Sequence, residues 1–357
     1  MTKTIAVLTG GGDCPGLNAV LRAIVRTAIH HYGWRVIGFK KGYRGLVEND
    51  YIEFNSTSVS GILDRGGTIL GTSNKHDPFN YADGDSYVDK SDQAMTNLAA
   101  LGAETLILIG GDGTMISADD FRKKGLQVVG VPKTIDNDLL GTDFSFGFQT
   151  AVEVATNALD NLHSTAESHH RLMVLEVMGR YAGWIALYAG MAGGADVILM
   201  PEIPYSLEKI SAAVLFRQKI GRHFSLIVAA EGAIAQDGQM TVNRILTDSP
   251  DPIRLGGIGA RLADELEAKL NIESRTVMLG HLQRGGRPNP YDRLLSTRFG
   301  AAAVEAVADG DFGKMVALQG TEIVRVPLEQ VAHKLKLVPQ DHELIQVGRK
   351  MGVCFGD

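Results

Sequence analysis

The 357-residue chain has little of what would narrow its class at once. It has two cysteines, Cys14 and Cys354, too few and too far apart for a disulfide framework. Neither lies in a CxxC pair or beside histidines at metal-binding spacing, so a reducing cytoplasm is the expected setting. No apolar run reaches the roughly 18 residues that a membrane helix requires. The first residues, MTKTIAVLTGGGD, lack the apolar stretch of a signal peptide and enter a strand and a glycine turn directly. Basic runs are also missing, and the formal net charge is −6, which argues against a nucleic-acid surface. No stretch rich in proline, serine or charge marks a linker, and there is no short-period repeat. GxGxxG and the Walker A pattern are both absent, so neither a dinucleotide fingerprint nor a P-loop can be claimed.

What the chain has is a soluble globular balance, 45% hydrophobic against 21% charged, and a length that suggests about two domains. It also has 42 glycines, clustered at the ends of apolar runs. That clustering belongs to backbone-lined sites on an α/β frame. KTIAVLT reads as a buried strand. PGLNAVLRAIVRTAIHHY follows as a helix, with Leu17, Leu21, Ile24, Val25 and Ala28 on one face and Pro15 near its start. RVIGFK, ETLILIGG and QVVGVP are further strands, with DKSDQAMTNLAALG and ISADDFRKKG as helices. Pro132 is expected to end its strand. A second βα series starts after about residue 140: strands RLMVLEVM, DVILMPE, FSLIVAAEGA and RTVMLGHLQRGG, separated by helical patterns. The expected fold is α/β: two similar domains of parallel sheets flanked by helices, with a cleft between them. The boundaries read as 1–140, with about 290–320 packing back on it; 141–289; and a C-terminal extension, 321–357. The stretch QDGQMTVNRILTDSPDPIRLGG (236–257) is the least regular and reads as a surface excursion.

In open α/β sheets, ligands sit beyond the carboxyl ends of the strands. Three glycine-rich turns fall there: Thr9–Gly16, Gly110–Thr114 and His281–Pro288. Glycines let backbone N–H groups approach an anion, and a helix N-terminus adds partial positive charge. Asp112 suits Mg²⁺ beside substrate phosphates, since magnesium needs only one or two carboxylates; its blander role is a helix N-cap. In PKTIDND (132–138), Asp136 and Asp138 would face the same way if the stretch is extended. One could take a proton from an attacking hydroxyl while the other orients metal or base, and Thr134 could hold a phosphate oxygen. The alternative is an Asx-turn loop, with Lys133 a solvated charge partner. The second half supplies Arg171, Arg180, Arg275 and Arg284, suited to a phosphomonoester, and Glu231, suited to sugar hydroxyls. Singly, each arginine reads as a surface ion-pair partner and His281 as a structural histidine. Met173, Met178 and Met191 read as core.

These residues resemble the phosphofructokinase family. The motifs are GGDCPGLN (Gly11–Asn18), GGDGT, PKTIDND, EVMGR (Glu176–Arg180), PEIP (Pro201–Pro204) and GHLQRGGRPNPYDR (Gly280–Arg293), in the family order over nearly the whole chain. The resemblance implies phosphoryl transfer from ATP, with Mg²⁺, to the 1-hydroxyl of fructose 6-phosphate. It makes Asp136 the general base, flanked by Thr134 and Asp138, and Asp112 the Mg²⁺ ligand. Gly11, Gly111, Gly113, Thr114 and Lys75 fall at the donor phosphates. Ile135, Met178, Gly179, Arg180, Glu231, His281, Leu282, Gln283 and Arg284 fall at the sugar phosphate. Arg171 and Arg275 match arginines that reach a neighbouring subunit's site, so a homodimer or homotetramer sharing its active sites is implied. Arg22 and Arg26 resemble basic residues of an allosteric nucleotide site.

Two segments depart from the familiar bacterial ATP enzymes. Asn74 and Lys75 stand where those enzymes supply an arginine to the donor phosphates. Lys133 replaces a glycine, as in the pyrophosphate-dependent and mixed branch, which in turn usually carries aspartate where this chain has Gly113. The chain therefore combines an ATP-type glycine with a pyrophosphate-type lysine. A pyrophosphate-dependent phosphotransferase is the alternative within the class. A catalytically silent sensor is the alternative outside it, and such a sensor would be expected to lack Asp136 or Asp112.

Overall fold

Thr4–Thr9 is buried at all six positions, as a strand covered on both faces must be. It is an interior strand of a large sheet in the computed structural model, which describes residues 2–84, 86–236, 238, 240–245 and 253–357. From one edge the order is Glu322–Pro327, Lys314–Gln319, Gln127–Thr134, Ala103–Gly110, Thr4–Thr9, Arg35–Phe39 and Tyr51–Phe54, with the short Phe146–Gly147 also pairing Gln127–Thr134. The interior pairs are parallel and the two outermost are antiparallel. A smaller sheet, wholly parallel, runs Val197–Leu199, Ser225–Ala230, Leu172–Val177, Ser274–Met278. The mostly parallel α/β frame expected from the βα rhythm is therefore present.

One apolar core runs continuously from the large sheet (Ile5, Val7, Ile107, Val129) through Phe146 and Phe148 to the small sheet (Leu175, Val228). The chain returns to the large sheet late. Helix Pro290–Ala308 lies on helix Leu17–His30 so closely that a Cβ on Gly300 would come within 2.6 Å of Ala23 Cβ and 2.7 Å of the Val20 carbonyl. Residues 314–327 then close the edge that Gln127–Thr134 would otherwise present. Of the irregular stretch 236–257, residues 237, 239 and 246–252 lie outside the described residues. Its remainder includes a two-stranded antiparallel ribbon, Val242–Ile245 with Ile253–Leu255.

Three local expectations need correction. The strand does not end at Pro132: it continues through Lys133 and Thr134, which pair with Phe146 and Gly147. Proline lacks only its own N–H, and the pairing on either side survives that loss. Asp112 is not the N-cap but the first residue of helix Asp112–Lys123, behind Gly111. The 136–138 stretch is not extended, because Asn137 is left-handed at φ 52.

Candidate active site

The donor-side turns are built around one threonine. Helix Asp112–Lys123 begins as soon as its strand ends, and this brings Thr114 against the tips of two neighbouring strands. A Cβ on Gly110 would lie 2.1 Å from Thr114 Oγ1, and one on Gly10 would lie 2.6 Å from it. Those glycines exist to admit Thr114. Gly11 is different: its φ of 75 favours glycine, and its carbonyl accepts from Thr72 Oγ1. The segment carrying the exposed Lys75 is thereby laid on this turn, for the Gly11 N–H also donates to the Ser73 carbonyl at 3.3 Å. At Gly113 a Cβ would meet nothing within 4 Å, so the turn is open there. Asp112, in the first helical turn, is favoured by the helix dipole.

Lys133 is no solvated partner. It is 3% exposed, and its Nζ donates to the Gly12 carbonyl at 2.6 Å. Burial pulls its pKa down. Thr134 is also buried; its Oγ1 accepts from the Asp136 N–H at 3.0 Å, a short local turn that sets the backbone at the proposed base. Ile135 points its side chain into the core, leaving only backbone for a ligand. Oδ1 of Asp136 and Oδ1 of Asp138 are buried without a hydrogen-bond partner. The Asp138 carboxyl is pushed up to about 7, first by burial and then by the carboxylates of Asp136 and Asp112. Asp138 therefore feels both other acids despite the kink at Asn137.

The small sheet brings the opposite wall. Glu231 follows strand Ser225–Ala230, and its Oε1 accepts from the Arg180 N–H at 3.1 Å. Burial, then the Asp136 charge, raises Glu231 to about 7. Gly179 (φ 135) and Arg180 (φ 51) shape the turn that follows Leu172–Val177. Gln283 is fully buried and its Oε1 accepts from the Met178 N–H at 2.8 Å, so it positions that turn. Leu282, beside it, is 69% exposed, and His281 is exposed too. Arg284 joins the walls: its Nη2 is 3.9 Å from Asp136 Oδ2, and its Nη1 is 3.5 Å from the Asp13 carbonyl. Glu176, in EVMGR, has a supporting role. It accepts from the N–H groups of Gly257 and Gly259 and so anchors helix Ile258–Leu270.

Two predicted residues are not brought here. Arg171 and Arg275 lie at the amino ends of their strands, where both pair with Glu273. Strand Leu172–Val177 separates Arg171 from Met178, roughly 20 Å at strand rise.

Other residues were missed in the sequence. Asn137 Oδ1 accepts from the Ser145 N–H at 3.0 Å, and Ser145 Oγ donates to the Thr134 carbonyl at 2.8 Å, closing the acid-bearing loop on itself. Asparagine's tolerance of left-handed backbone was the available signal for Asn137. Lys336, 198 positions after Asp138 (336 − 138), donates its backbone N–H to the Asp138 carbonyl at 2.8 Å, and no local pattern signals that.

Glycine-lined turns facing arginine and carboxylates, at the carboxyl ends of the parallel strands of two sheets, make a site suited to phosphorylated ligands. A family model described as phosphofructokinase matches residues 4–307. The ATP-dependent 6-phosphofructokinase 2 of Clostridium perfringens is 55% identical over 99% of either chain. The pyrophosphate–fructose 6-phosphate 1-phosphotransferase of Streptomyces coelicolor is 50% identical, also over 99% of each. Among solved structures, Pichia pastoris phosphofructokinase in the T-state matches with TM-score 0.81 and 33% identity, over 93% of this chain and 35% of that longer one. The chain belongs to the phosphofructokinase family.

Proposed function

We infer that the chain transfers the terminal phosphoryl of ATP to the 1-hydroxyl of D-fructose 6-phosphate, giving fructose 1,6-bisphosphate and ADP. The observation that carries this reading is a contact between the two turns. A Cβ on Gly111 would lie 3.4 Å from the Lys133 carbonyl and 3.9 Å from Thr134 Cβ. Open Gly113 and Asp136, whose Oδ1 has no hydrogen-bond partner, thus stand two residues to either side of one meeting point. Phosphoryl transfer needs little covalent help; it needs alignment and charge compensation. Asp136 takes the hydroxyl proton. Arg284 holds that carboxylate toward the acceptor side and offers its remaining N–H groups to phosphate. Glu231 receives sugar hydroxyls, and Arg180 stands beside it.

Among the described residues no group of three or more His, Cys, Asp or Glu is arranged to hold a metal alone. Mg²⁺ needs less, completing its shell with water and phosphate oxygens. Asp112 would hold it, and the unpaired Oδ1 atoms of Asp136 and Asp138 fit a nearby cation. Bound there, Mg²⁺ would neutralise charge on the transferring phosphates. Lys133 favours a secondary reading, since a buried ammonium against the Gly12 carbonyl suits a small anionic leaving group such as phosphate.

Arg171 and Arg275 stand at the amino ends of their strands, away from the turns at the carboxyl ends, which supports a homo-oligomer whose subunits lend these arginines to each other. No helix among the described residues is long and apolar enough to cross a membrane, and both cysteines are unpaired, in keeping with a cytoplasmic enzyme.

The test is formation of fructose 1,6-bisphosphate with Mg²⁺ and either ATP or pyrophosphate, in wild type and Asp136→Asn. Wild type should favour ATP, and kcat should fall by roughly 10²–10⁴ in the variant, as for loss of a general base. A wild-type preference for pyrophosphate overturns the donor assignment; Asp136→Asn activity within about threefold removes Asp136 from the role.

A further inference from the structure

The acid-bearing loop 136–145 is held from behind by a residue near the other end of the chain. Lys336 donates its backbone N–H to the Asp138 carbonyl at 2.8 Å, and its Nζ to the carbonyls of Thr142 and Asp143 at 2.8 and 2.9 Å. A bridge between Leu139 and Leu335 extends the contact. The same short segment grips the small-sheet side. Trp184 Nε1 donates to the Lys336 carbonyl at 2.7 Å, and the ammonium lies 5.2 Å over the Trp184 ring. Glu202, in PEIP, accepts from the N–H groups of both Gly183 and Val338. Gly183 immediately precedes Trp184 and closes the turn that carries Arg180.

We propose that Lys336 is a positioning residue for phosphoryl transfer, fixing the Asp136–Asp143 loop relative to the sugar-phosphate turn. This rests on the reading of Asp136 as the base. Two of the three bonds come from one ammonium, so the loop carbonyls are gathered on a single point. The loop includes two left-handed positions, Asn137 and Gly141, and would otherwise have freedom to re-aim the carboxylate. Burial has cost Lys336 part of its basicity: its pKa is pulled down to about 8, against the opposing effect of Asp138 and Asp143. A lysine is usually held in such a place only when its N–H groups find acceptors, and here two of the ammonium's bonds go to carbonyls. Misplacing a reacting group by about 1 Å can cost on the order of 10²-fold in rate.

The experiment compares wild type, Lys336→Met, Lys336→Arg, Asp136→Asn and the Asp136→Asn/Lys336→Met double variant. Methionine keeps an apolar stem over Trp184 but removes the ammonium donors. Lys336→Met should lower kcat about tenfold while KM for ATP stays within about twofold, and Lys336→Arg should recover much of the loss. In the double variant kcat should fall no further than in Asp136→Asn, because there is no base left to aim. Amide exchange over 136–145 should quicken in Lys336→Met and stay unchanged in the large sheet. A Lys336→Met kcat within about twofold of wild type overturns the proposal, as does a double variant whose loss is the product of the single losses. If Lys336→Met does not fold, Trp184→Phe serves: it removes the bond to the Lys336 carbonyl, and an unchanged kcat there overturns the proposal. Full activity in Asp136→Asn defeats the base assignment, whereas its loss with Lys336→Met unaffected defeats only this inference.

Discussion

Gly113 decides the donor question at the scale of one atom. It lies in the first turn of helix Asp112–Lys123, its φ is not in the left-handed range, and space is open where a Cβ would go. Aspartate there should fold without strain and gain slightly from helix propensity and the dipole. Its carboxylate would instead crowd and repel the nucleotide's α-phosphate. Gly113→Asp should therefore reduce kcat/KM for ATP by at least about 100-fold with Tm unchanged or higher, while any pyrophosphate activity persists. ATP turnover that survives the change would show that the turn does not face the α-phosphate. The neighbouring residues show what a sequence conceals at this scale. Asp112 and Arg284 stood out in the sequence because charge among glycines is conspicuous, and Asp136 because it lies in a short run of acids. Lys133 did not, because nothing in PKTIDND says whether a lysine points to water or, as here, to a carbonyl 121 residues earlier.

The elements themselves were mostly readable. Alternating apolar strands and one-sided helices from Thr4 to Met278 lie where period and glycine punctuation put them. The misses came from tertiary override: Pro132 is carried inside a strand by its neighbours' pairing, and Asn137 is turned by Ser145. Helix Pro290–Ala308 contributes a titrating contact. Asn289 Oδ1 caps it by accepting from the Asp292 N–H, and buried Asp292 Oδ2 accepts from the Thr150 N–H and Oγ1. Burial pushes Asp292 up to about 6. An acid with a raised folded pKa contributes stability below its unfolded pKa, near 4, and loses that contribution as pH rises through about 6. Asp292→Asn has no such titration. The difference in unfolding free energy between wild type and Asp292→Asn should shift by up to about 3 kcal/mol against wild type between pH 4 and 7. Thermal or denaturant unfolding across that range checks it, and a constant difference would mean that Asp292 titrates normally.

Across the whole molecule, the arginines at the amino ends of the small sheet carry the clearest consequence. If the site draws Asp136 from one subunit and Arg171 from the next, an oligomer mixing Asp136→Asn chains with Arg171→Ala chains has intact sites. The interface where the Arg171→Ala chain supplies Asp136 and its partner supplies Arg171 carries neither lesion. Mixing two nearly inactive proteins should restore a measurable fraction of activity. If native mass spectrometry finds mixed oligomers and activity stays at the parental level, each site is contained in one chain.

The late closure of the large sheet has a consequence for how the protein comes into being. Beyond the two-residue pairing of Lys133 and Thr134 with Phe146–Gly147, strand Gln127–Thr134 acquires its outer neighbour only with Lys314–Gln319, whereas the small sheet has all its strands by Met278. On the ribosome, at roughly 5–20 residues per second, the 180 positions from Thr134 to Lys314 (314 − 134) take on the order of 10–40 s. In the last part of that interval, after Met278, a nascent chain has every strand of the small sheet while the large sheet still has a strand edge open to stray pairing. Asp112 and Asp136 emerge early, but the sheet whose turns carry them is closed only once Lys314–Gln319 has followed.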